Sequence, residues 1–135
     1  MFCVVLDTNI IVSALWSKQS IPGKVLEMVL QRKVKTAVSQ DVFEEYEEVL
    51  FRDKFRHKFS REEVDNVLFA IHRVSDYFVA QKSTTPHFTD ETDKKFYDLA
   101  KSANAYLITG NIKHFPQDNK IITPADFLQY FSKKL

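Results

Sequence analysis

The sequence predicts an α/β protein in which a central parallel sheet of four to five strands lies between two layers of helices. Short apolar segments rich in branched residues alternate along the chain with segments whose apolar residues recur at helical spacing. The length of 135 residues, with 44% hydrophobic and 27% charged residues, is typical of one globular domain. We therefore expect a single domain over residues 1–135 with a three-layer α/β/α architecture.

The composition also bears on location. The one cysteine, Cys3, falls in an apolar segment, which predicts a small buried side chain and no disulfide. A chain without disulfides fits a reducing cytoplasm. We expect no secretory signal, because no cationic region precedes the first apolar run, and no membrane span, because no apolar stretch approaches ~20 residues. The net charge of +1 does not indicate a class of partner.

The chain begins with a strand that leads directly into a helix. Residues 2–6 are an apolar run that suits a strand buried on both faces, and Asp7 ends it. Thr8 and Asn9 are expected to cap the first helix, whose apolar residues lie between positions 10 and 15.

A second helix and a second strand follow. Pro22 suits the first position of a helix that is expected to end near Arg32. Residues 34–38 alternate apolar and polar side chains, which predicts a short strand, and Ser39 closes it.

Two helices with predicted capping boxes come next. Residues 40–51 form an acidic helix, for which the spacing of Asp41 and Glu44 predicts a capping box. Ser60 and Glu63 have the same spacing and open a helix with one apolar face.

The following segments predict an edge strand, a loop and a helix. Residues 77–79 suit a short edge strand, and the polar residues 81–89 suit a loop. Thr89 or Asp90 is expected to cap the next helix.

The last part of the chain predicts two strands and a closing helix. Residues 105–109 are apolar and suit a buried strand, which Gly110 and Asn111 end. Residues 120–122 predict a last short strand, and Pro124 starts the closing helix.

Two of the predicted strands end in residues that can bind a cation. Asp7 follows the first strand, and Asn111 follows the strand over residues 105–109. Parallel sheets bind ligands beyond the carboxyl ends of their strands, and we expect these two strands to be neighbours. The alternative for Asn111 is a left-handed turn residue after Gly110 with no chemical role.

The acidic helix offers a further oxygen donor. At about 100° per residue, Glu44 and Glu48 fall opposite the apolar stripe and are expected to be solvated. Glu45 and Glu47 flank the stripe, and Glu45 lies on the edge from which a carboxylate can reach the rim of the sheet. Glu45 is therefore the stronger candidate.

A third carboxylate lies on an apolar helix face. Asp93 shares that face with Phe96 and Ala100, whereas Asp98 points away from them. Burying a carboxylate is costly unless a cation or hydrogen-bond donors meet it, although a helix N-terminus favours an anion in its first turn. The alternative for Asp93 is a capping acid with no chemical role.

Oxygen donors from separate segments are thus expected to meet in one pocket. The donors are Asp7, Glu45, Asp93 and Asn111. Oxygen ligands select Mg²⁺ or Mn²⁺, and the four histidines show no close-spaced pair of the kind that zinc sites use. With three carboxylates rather than four, a second cation is expected to bind weakly or only with substrate.

The order and spacing of several segments resemble the PIN-domain family, in particular the group described as toxin components of toxin-antitoxin systems. The segments are VVLDTNIIVSAL around Asp7, SQDVFEEYEEVL around Glu45, TDETDKKFYDLAKSANAYLITGN around Asp93 and Asn111, and IITPADFL near the end. The resemblance covers nearly the whole chain, and it implies a small parallel sheet between helices.

The resemblance also implies a metal-dependent ribonuclease. In that family the acids that match Asp7, Glu45 and Asp93 bind the catalytic metal, and a fourth acid commonly follows the TG turn. This chain has Asn111 there, whose amide offers an oxygen but no charge. Toxin members are usually held inactive by a protein that reaches into the acidic site, and family members often form dimers. RNA, an antitoxin and a second copy of the chain are therefore the expected partners.

A basic segment after the acidic helix is a candidate RNA contact. Basic residues alternate there with phenylalanines, a pattern that can meet phosphates. The basic residues are Arg52, Lys54, Arg56, Lys58 and Arg61. The alternative is a solvated face whose phenylalanines, Phe51, Phe55 and Phe59, pack together.

Other classes of function compete with a nuclease. A haloacid-dehalogenase-like phosphohydrolase needs a second acid two residues after Asp7, where this chain has Asn9. A receiver domain needs paired acids after its first strand, and Asp7 is followed by Thr8. A non-catalytic binding module with the same fold stays open, because Asn111 replaces an acid.

Overall fold

The described structure covers nearly the whole chain. A computed structural model describes residues 2–84, 88 and 90–134, with the side chains of residues 132–134 excepted. The predicted loop over residues 81–89 therefore lies partly outside the described residues, as does the predicted cap at Thr89.

The described part of the chain forms one sheet of five parallel strands, as the sequence predicts. The strands are β1 (Cys3–Leu6), β2 (Lys35–Val38), β3 (Ser75–Tyr77), β4 (Tyr106–Ile108) and β5 (Ile121–Ile122). Their order across the sheet is β3-β2-β1-β4-β5, so β1 lies at the centre.

Six helices of the described chain cover the sheet in the predicted three-layer arrangement. They are α1 (Thr8–Trp16), α2 (Ile21–Leu30), α3 (Gln40–Leu50), α4 (Arg61–Val74), α5 (Glu91–Ala103) and α6 (Pro124–Lys134). Helix α5 lies across β1, β2 and β4, while α1, α2, α3, α4 and α6 pack against one another. None of the helices that the structure describes has the length and apolar character needed to cross a lipid bilayer.

The helix starts show where local sequence signals compete. The capping box at α4 is confirmed, because the Glu63 N–H donates to Ser60 Oγ at 3.0 Å. The predicted box at Asp41 is wrong, since Ser39 is the N-cap of α3 and accepts from the Val42 N–H at 3.4 Å. Asp41 instead accepts from the same N–H at 3.0 Å. Because Ser39 directly follows β2, capping there leaves Ser39 as the one residue between strand and helix.

Other boundaries also differ from the predictions. Helix α1 begins at Thr8 with Asp7 in the cap position, so the expected cap by Thr8 and Asn9 is wrong. The edge strand β3 covers Ser75–Tyr77 rather than residues 77–79, because α4 runs into it without an intervening turn. Helix α2 ends at Leu30, two residues before the end predicted near Arg32.

The core is centred on β1 and β4. Val4, Val5, Leu107 and Ile108 on these neighbouring strands are fully buried. Cys3, the first residue of β1, is only half-buried, so the prediction of a buried side chain there is wrong. Burial nevertheless raises the pKa of its thiol.

Thr36 in β2 is expected to limit stability. Its side chain is 1% exposed, and its Oγ1 has no hydrogen-bond partner among the described residues. An unsatisfied buried hydroxyl is costly, so Thr36→Val should raise the free energy of unfolding by about 1 kcal/mol. Urea denaturation measures the change. Thr36→Ser, which keeps the hydroxyl and removes a methyl group, should lower it, and the opposite order of the two variants would contradict the explanation.

The strand order defines where a ligand is expected. From β1 the chain moves to β2 and β3 on one side, and α5 then carries it back to β4 on the other side of β1. Such a reversal opens a crevice beyond the carboxyl ends of the two central strands, where open α/β sheets bind ligands. Asp7 follows β1, and Thr109 follows β4, so both lie at this crevice.

Candidate functional site

Asp7 directly follows β1 and is held at the crevice by the neighbouring strand β4 and the residue after it. Its N–H donates to the Ile108 carbonyl at 3.0 Å, and its Oδ2 accepts from the Thr109 hydroxyl at 2.7 Å. The carboxyl is buried, and this burial raises its pKa above the ordinary value. Hydrogen bonding from Thr109 acts against the rise, and the charge of Glu45 adds to it. Asp7 is thus a buried acid with no cation directly on it among the described residues.

Glu45 projects from α3 toward the same place. Its Oε2 accepts from the Thr8 hydroxyl at 2.7 Å, and its Oε1 lies 3.1 Å from Lys95 Nζ. The next residue, Tyr46, is buried and donates its hydroxyl to the Leu6 carbonyl at 2.6 Å. This hydrogen bond ties α3 to the end of β1, immediately before Asp7, and so fixes the approach of Glu45.

Asp93 lies in the first turn of α5 and is half-buried. Its pKa is raised, chiefly by burial and then by the negative charges of Asp7 and Asp90, with a smaller contribution from Glu45. His114 lowers the pKa, and its Nδ1 lies 3.5 Å from Asp93 Oδ2. The favourable position at the helix N-terminus is therefore outweighed by desolvation and by the neighbouring acids.

Asn111 joins the site through its backbone. Its N–H donates at 3.0 Å to Thr109 Oγ1, the same atom that donates to Asp7. The side chain is exposed and makes no capping hydrogen bond within the described chain. Its φ of −121° is not left-handed, so the alternative of a left-handed turn residue is wrong.

Asp98 lies outside this group. The sequence places it away from the apolar face of α5, but the side chain is buried there rather than solvated. The Ser83 hydroxyl donates to its Oδ1 at 2.5 Å, and Lys94 Nζ lies 3.8 Å from its Oδ2. Asp98 is therefore satisfied by structural partners and has no contact with the three candidate acids among its described hydrogen bonds and ion pairs.

The donor chemistry fits a hard cation, although the described side chains do not form a complete set of metal ligands. The charge of Glu45 contributes to the raised pKa values of Asp7 and Asp93, and the oxygens of all three are of the type that Mg²⁺ and Mn²⁺ prefer. In the ranges that the structure describes, no three His, Cys, Asp or Glu side chains are close enough to form a ready-made metal site. Burial, with the charges of the neighbouring acids, raises the pKa values of Asp7 and Asp93, and a divalent cation bound there would lower both.

Two open clefts have Lys95 in their lining, and one of them reaches Glu45. One has a volume of about 660 Å³ and is lined by Glu45, Asp90 and Lys95 among other residues. The other has a volume of about 550 Å³ and is lined by Phe78, Lys95 and Asp98 among others. The first cleft therefore gives solvent and an extended substrate access to Glu45, and Lys95 lines both clefts.

The basic segment makes mainly local contacts. Arg52 forms an ion pair with Glu48 at 2.8 Å, and Arg56 forms one with Asp53 at 3.1 Å. Lys54 and Lys58 lie over the rings of Phe55 and Trp16, respectively, and Arg61 lies over Phe51. The rings of Phe55 and Phe59 stack with centroids 5.3 Å apart, as the alternative of packed phenylalanines predicts. The charged ends remain exposed, so a contact to RNA stays a prediction.

Several residues at the site were not predicted from the sequence. Thr109 and Thr8 orient Asp7 and Glu45, while Lys95 and His114 supply positive or hydrogen-bonding groups. Thr109 had a usable signal, because a polar residue at the end of a buried strand faces the same crevice as Asp7. Lys95 and His114 had none, since their partners are distant along the chain.

The raised pKa of Asp7 predicts how stability depends on pH. Between the ordinary carboxyl value of 3.8 and its own raised pKa, the folded protein binds more protons at this site than the unfolded chain. Stability from this group is therefore lost as the pH rises through that window. Asp7→Asn should be more stable than the wild type at pH 7, and the difference should shrink toward pH 4. Urea titrations across this range measure it, and a variant less stable at pH 7 would contradict the electrostatic explanation.

Comparisons with known proteins agree with the fold. A family model described as "PIN domain" matches residues 3–113. The chain is also 29% identical, over 143 aligned residues, to "Uncharacterized protein MJ1680" of Methanocaldococcus jannaschii. That alignment covers 96% of this chain and 92% of the relative.

Proposed function

The chain belongs to the PIN domain family, and from this membership and the geometry of the site we propose that it is a divalent-metal-dependent endoribonuclease. PIN domains are generally nucleases, which are hydrolases of phosphodiester bonds. The observation that carries the proposal is the convergence of Asp7, Glu45 and Asp93 at the crevice between β1 and β4. Acids with no chemical role have little reason to lie together, one buried and two partly buried, at this point of the sheet.

Each residue has a distinct role in the proposal. Asp7 and Asp93 hold Mg²⁺ or Mn²⁺, and Glu45 orients the attacking water. When bound there, the ion supplies positive charge to the scissile phosphate and acidifies a water molecule. Thr109 keeps Asp7 in place through its 2.7 Å hydrogen bond, and Thr8 does the same for Glu45.

Asn111 contributes a neutral oxygen at the rim. Its backbone N–H donates to Thr109 Oγ1 and its side chain is exposed, which supports a role for the amide at the crevice. An amide oxygen binds hard cations directly or through water, but adds no charge. The replacement of an acid by Asn111 therefore supports a site that holds its first cation on Asp7 and Asp93.

A cleavage assay tests the proposal against its competitors. The purified chain is incubated with mixed RNAs in Mg²⁺ or Mn²⁺, and parallel samples contain EDTA. RNA fragments that appear only with the divalent ion support the nuclease. Phosphate release from small esters, without RNA cleavage, would assign a phosphohydrolase instead. RNA that is bound but left intact in every condition would assign a non-catalytic module.

The resemblance to toxin members leads to a proposal about the role of the chain in cells. We propose that the chain acts as the toxin of a toxin-antitoxin pair and that a partner protein blocks the acidic crevice. Expression of the wild-type chain alone should slow growth, whereas expression of Asp7→Asn should not. Equal growth of the two cultures, at equal protein levels, would contradict the toxin role without touching the activity in vitro.

The exposed basic segment is proposed as an RNA contact. Reversing charge at Arg52 and Arg56 should weaken RNA binding and reduce its salt dependence by about 0.7 in the logarithmic slope for each phosphate that is no longer neutralised. Loss of the exposed Arg52–Glu48 and Arg56–Asp53 pairs has little effect on stability. Charge reversal at exposed Lys18 and Lys24 makes the same change in net charge and serves as the control. Equal binding by both double variants would assign the segment a packing role only.

A further inference from the structure

Lys95 forms a partly buried ion pair inside the candidate site. Its Nζ lies 3.1 Å from Glu45 Oε1, and the side chains of Lys95 and Glu45 are only 25% and 16% exposed. Lys95 comes two residues after Asp93 on α5, so one helix supplies both a carboxylate and a fixed positive charge to the site. The side chain also lines both of the open clefts.

Both oxygens of Glu45 are already occupied by protein groups. Thr8 donates to Oε2 at 2.7 Å, and Lys95 occupies Oε1. In contrast, the hydrogen-bond donors to Asp7 are neutral, namely the Thr109 hydroxyl on Oδ2 and the backbone N–H groups of Thr8 and Asn9, and Asp93 Oδ2 lies 3.5 Å from the Nδ1 of His114. A divalent cation on Glu45 must therefore displace the ammonium group or bind against its charge, whereas one on Asp7 and Asp93 meets no ammonium group paired with its ligands.

We propose that Lys95 is a built-in counter-ion of Glu45, which competes with a divalent cation for that carboxylate and restricts the free protein to one tightly bound divalent ion. The inference rests on the proposed metal site and specifies how many ions it holds. Because an ammonium group and a divalent ion repel each other at short range, Lys95 weakens the binding of a divalent ion to the Glu45 carboxylate. Lys95 is thus a positioning residue that acts on the site through Glu45.

Lys94 provides a matched control on the same helix. It carries the same charge, is similarly shielded, and pairs with the structural acid Asp98 at 3.8 Å. Lys95→Met and Lys94→Met therefore remove equal charge one residue apart, but only the first frees Glu45. Lys95→Gln is a second neutral variant that tolerates the partly polar surroundings, and Lys95→Arg restores the charge.

A titration of Mn²⁺ into each purified chain tests the inference without any assay of activity. The electron paramagnetic resonance signal of the free ion measures how much Mn²⁺ is bound. The wild type, Lys94→Met and Lys95→Arg should bind one Mn²⁺ tightly. Lys95→Met and Lys95→Gln should bind a second Mn²⁺ about tenfold more tightly than the wild type does, the effect expected of one removed positive charge nearby. Circular dichroism spectra and urea midpoints identify any variant that has lost its fold. If one neutral variant does not fold, the other can still be compared with the wild type.

The outcomes separate this inference from the metal site itself. Tight binding of one Mn²⁺ by all variants, with no gain from either neutral substitution, overturns the role of Lys95 and leaves the site intact. Two tight ions in the wild type also overturn it. If no variant binds Mn²⁺, the proposed metal site is wrong and the inference is overturned with it. A gain that is equal in Lys94→Met would overturn the specific role of Lys95, because it would show only a general effect of charge.

Discussion

Replacing Asp7 by Asn is expected to lower divalent-dependent RNA cleavage by about 100-fold or more, since changes to groups that merely support a metal ligand already cost 10- to 100-fold. The substitution keeps the shape of the side chain and its ability to accept from Thr109, which lies 2.7 Å away. It removes the negative charge at the centre of the site. The rate is measured on RNA with saturating Mg²⁺ or Mn²⁺.

The same substitution at an exposed position is the control. Asp65 lies on the solvent side of α4, so Asp65→Asn should cleave RNA at the wild-type rate. Asp7→Asn is expected to stay folded, and at pH 7 to be more stable than the wild type, because the carboxylate it replaces is buried with a raised pKa. Substantial cleavage by Asp7→Asn would show that the reaction occurs elsewhere. Loss of cleavage together with unfolding would contradict the predicted gain in stability.

The substitution Phe96→Ala is expected to have the largest effect on stability. Phe96 is 1% exposed on α5, and its ring stacks on Tyr46 with centroids 6.5 Å apart. This contact joins the helix that carries Asp93 to the helix that carries Glu45. Truncation of a buried phenylalanine costs about 3–5 kcal/mol, a large part of the 5–15 kcal/mol by which domains are stable.

Urea denaturation measures this loss, and Phe69 gives the matched control. Phe69 is 63% exposed on α4, so Phe69→Ala should change the free energy of unfolding by less than about 0.5 kcal/mol. Similar losses in the two variants would contradict the burial of Phe96 between α3 and α5. Phe96→Ala protein that remains folded should also bind Mn²⁺ more weakly, because the ring contact that joins the helix of Asp93 to the helix of Glu45 is gone.

The layers of the fold follow from patterns that act over a few residues. The apolar runs before Asp7 and before Gly110 predict central strands, and these strands are neighbours in the sheet. Helix starts are less predictable, because Ser39 and Asp41 are both good caps and the shorter path from β2 favours the first. The edge strand differs from its prediction because α4 passes into β3 without glycine or proline.

The site is predictable to the extent that it depends on position along an element. Strand ends and the helical wheel are local properties, and they indicate Asp7, Glu45 and Asp93. Contacts across the fold are not local, so the hydrogen bond from Thr109 to Asp7 and the ion pair of Lys95 with Glu45 could not be inferred. Asp98 shows the same limit, because its burial depends on the segment that contains Ser83.

Anomalous X-ray scattering from crystals grown with Mn²⁺ tests most directly whether this crevice binds a metal ion. We expect an Mn²⁺ peak within about 2.0–2.6 Å of carboxylate oxygens of Asp7 and Asp93, the range for hard cations bound by oxygen. The peak should lie beyond the carboxyl ends of β1 and β4, with Glu45 still paired to Lys95. An ordered crevice without Mn²⁺ at millimolar concentration, or Mn²⁺ bound only to other carboxylates, would contradict the metal site and the nuclease proposed from it.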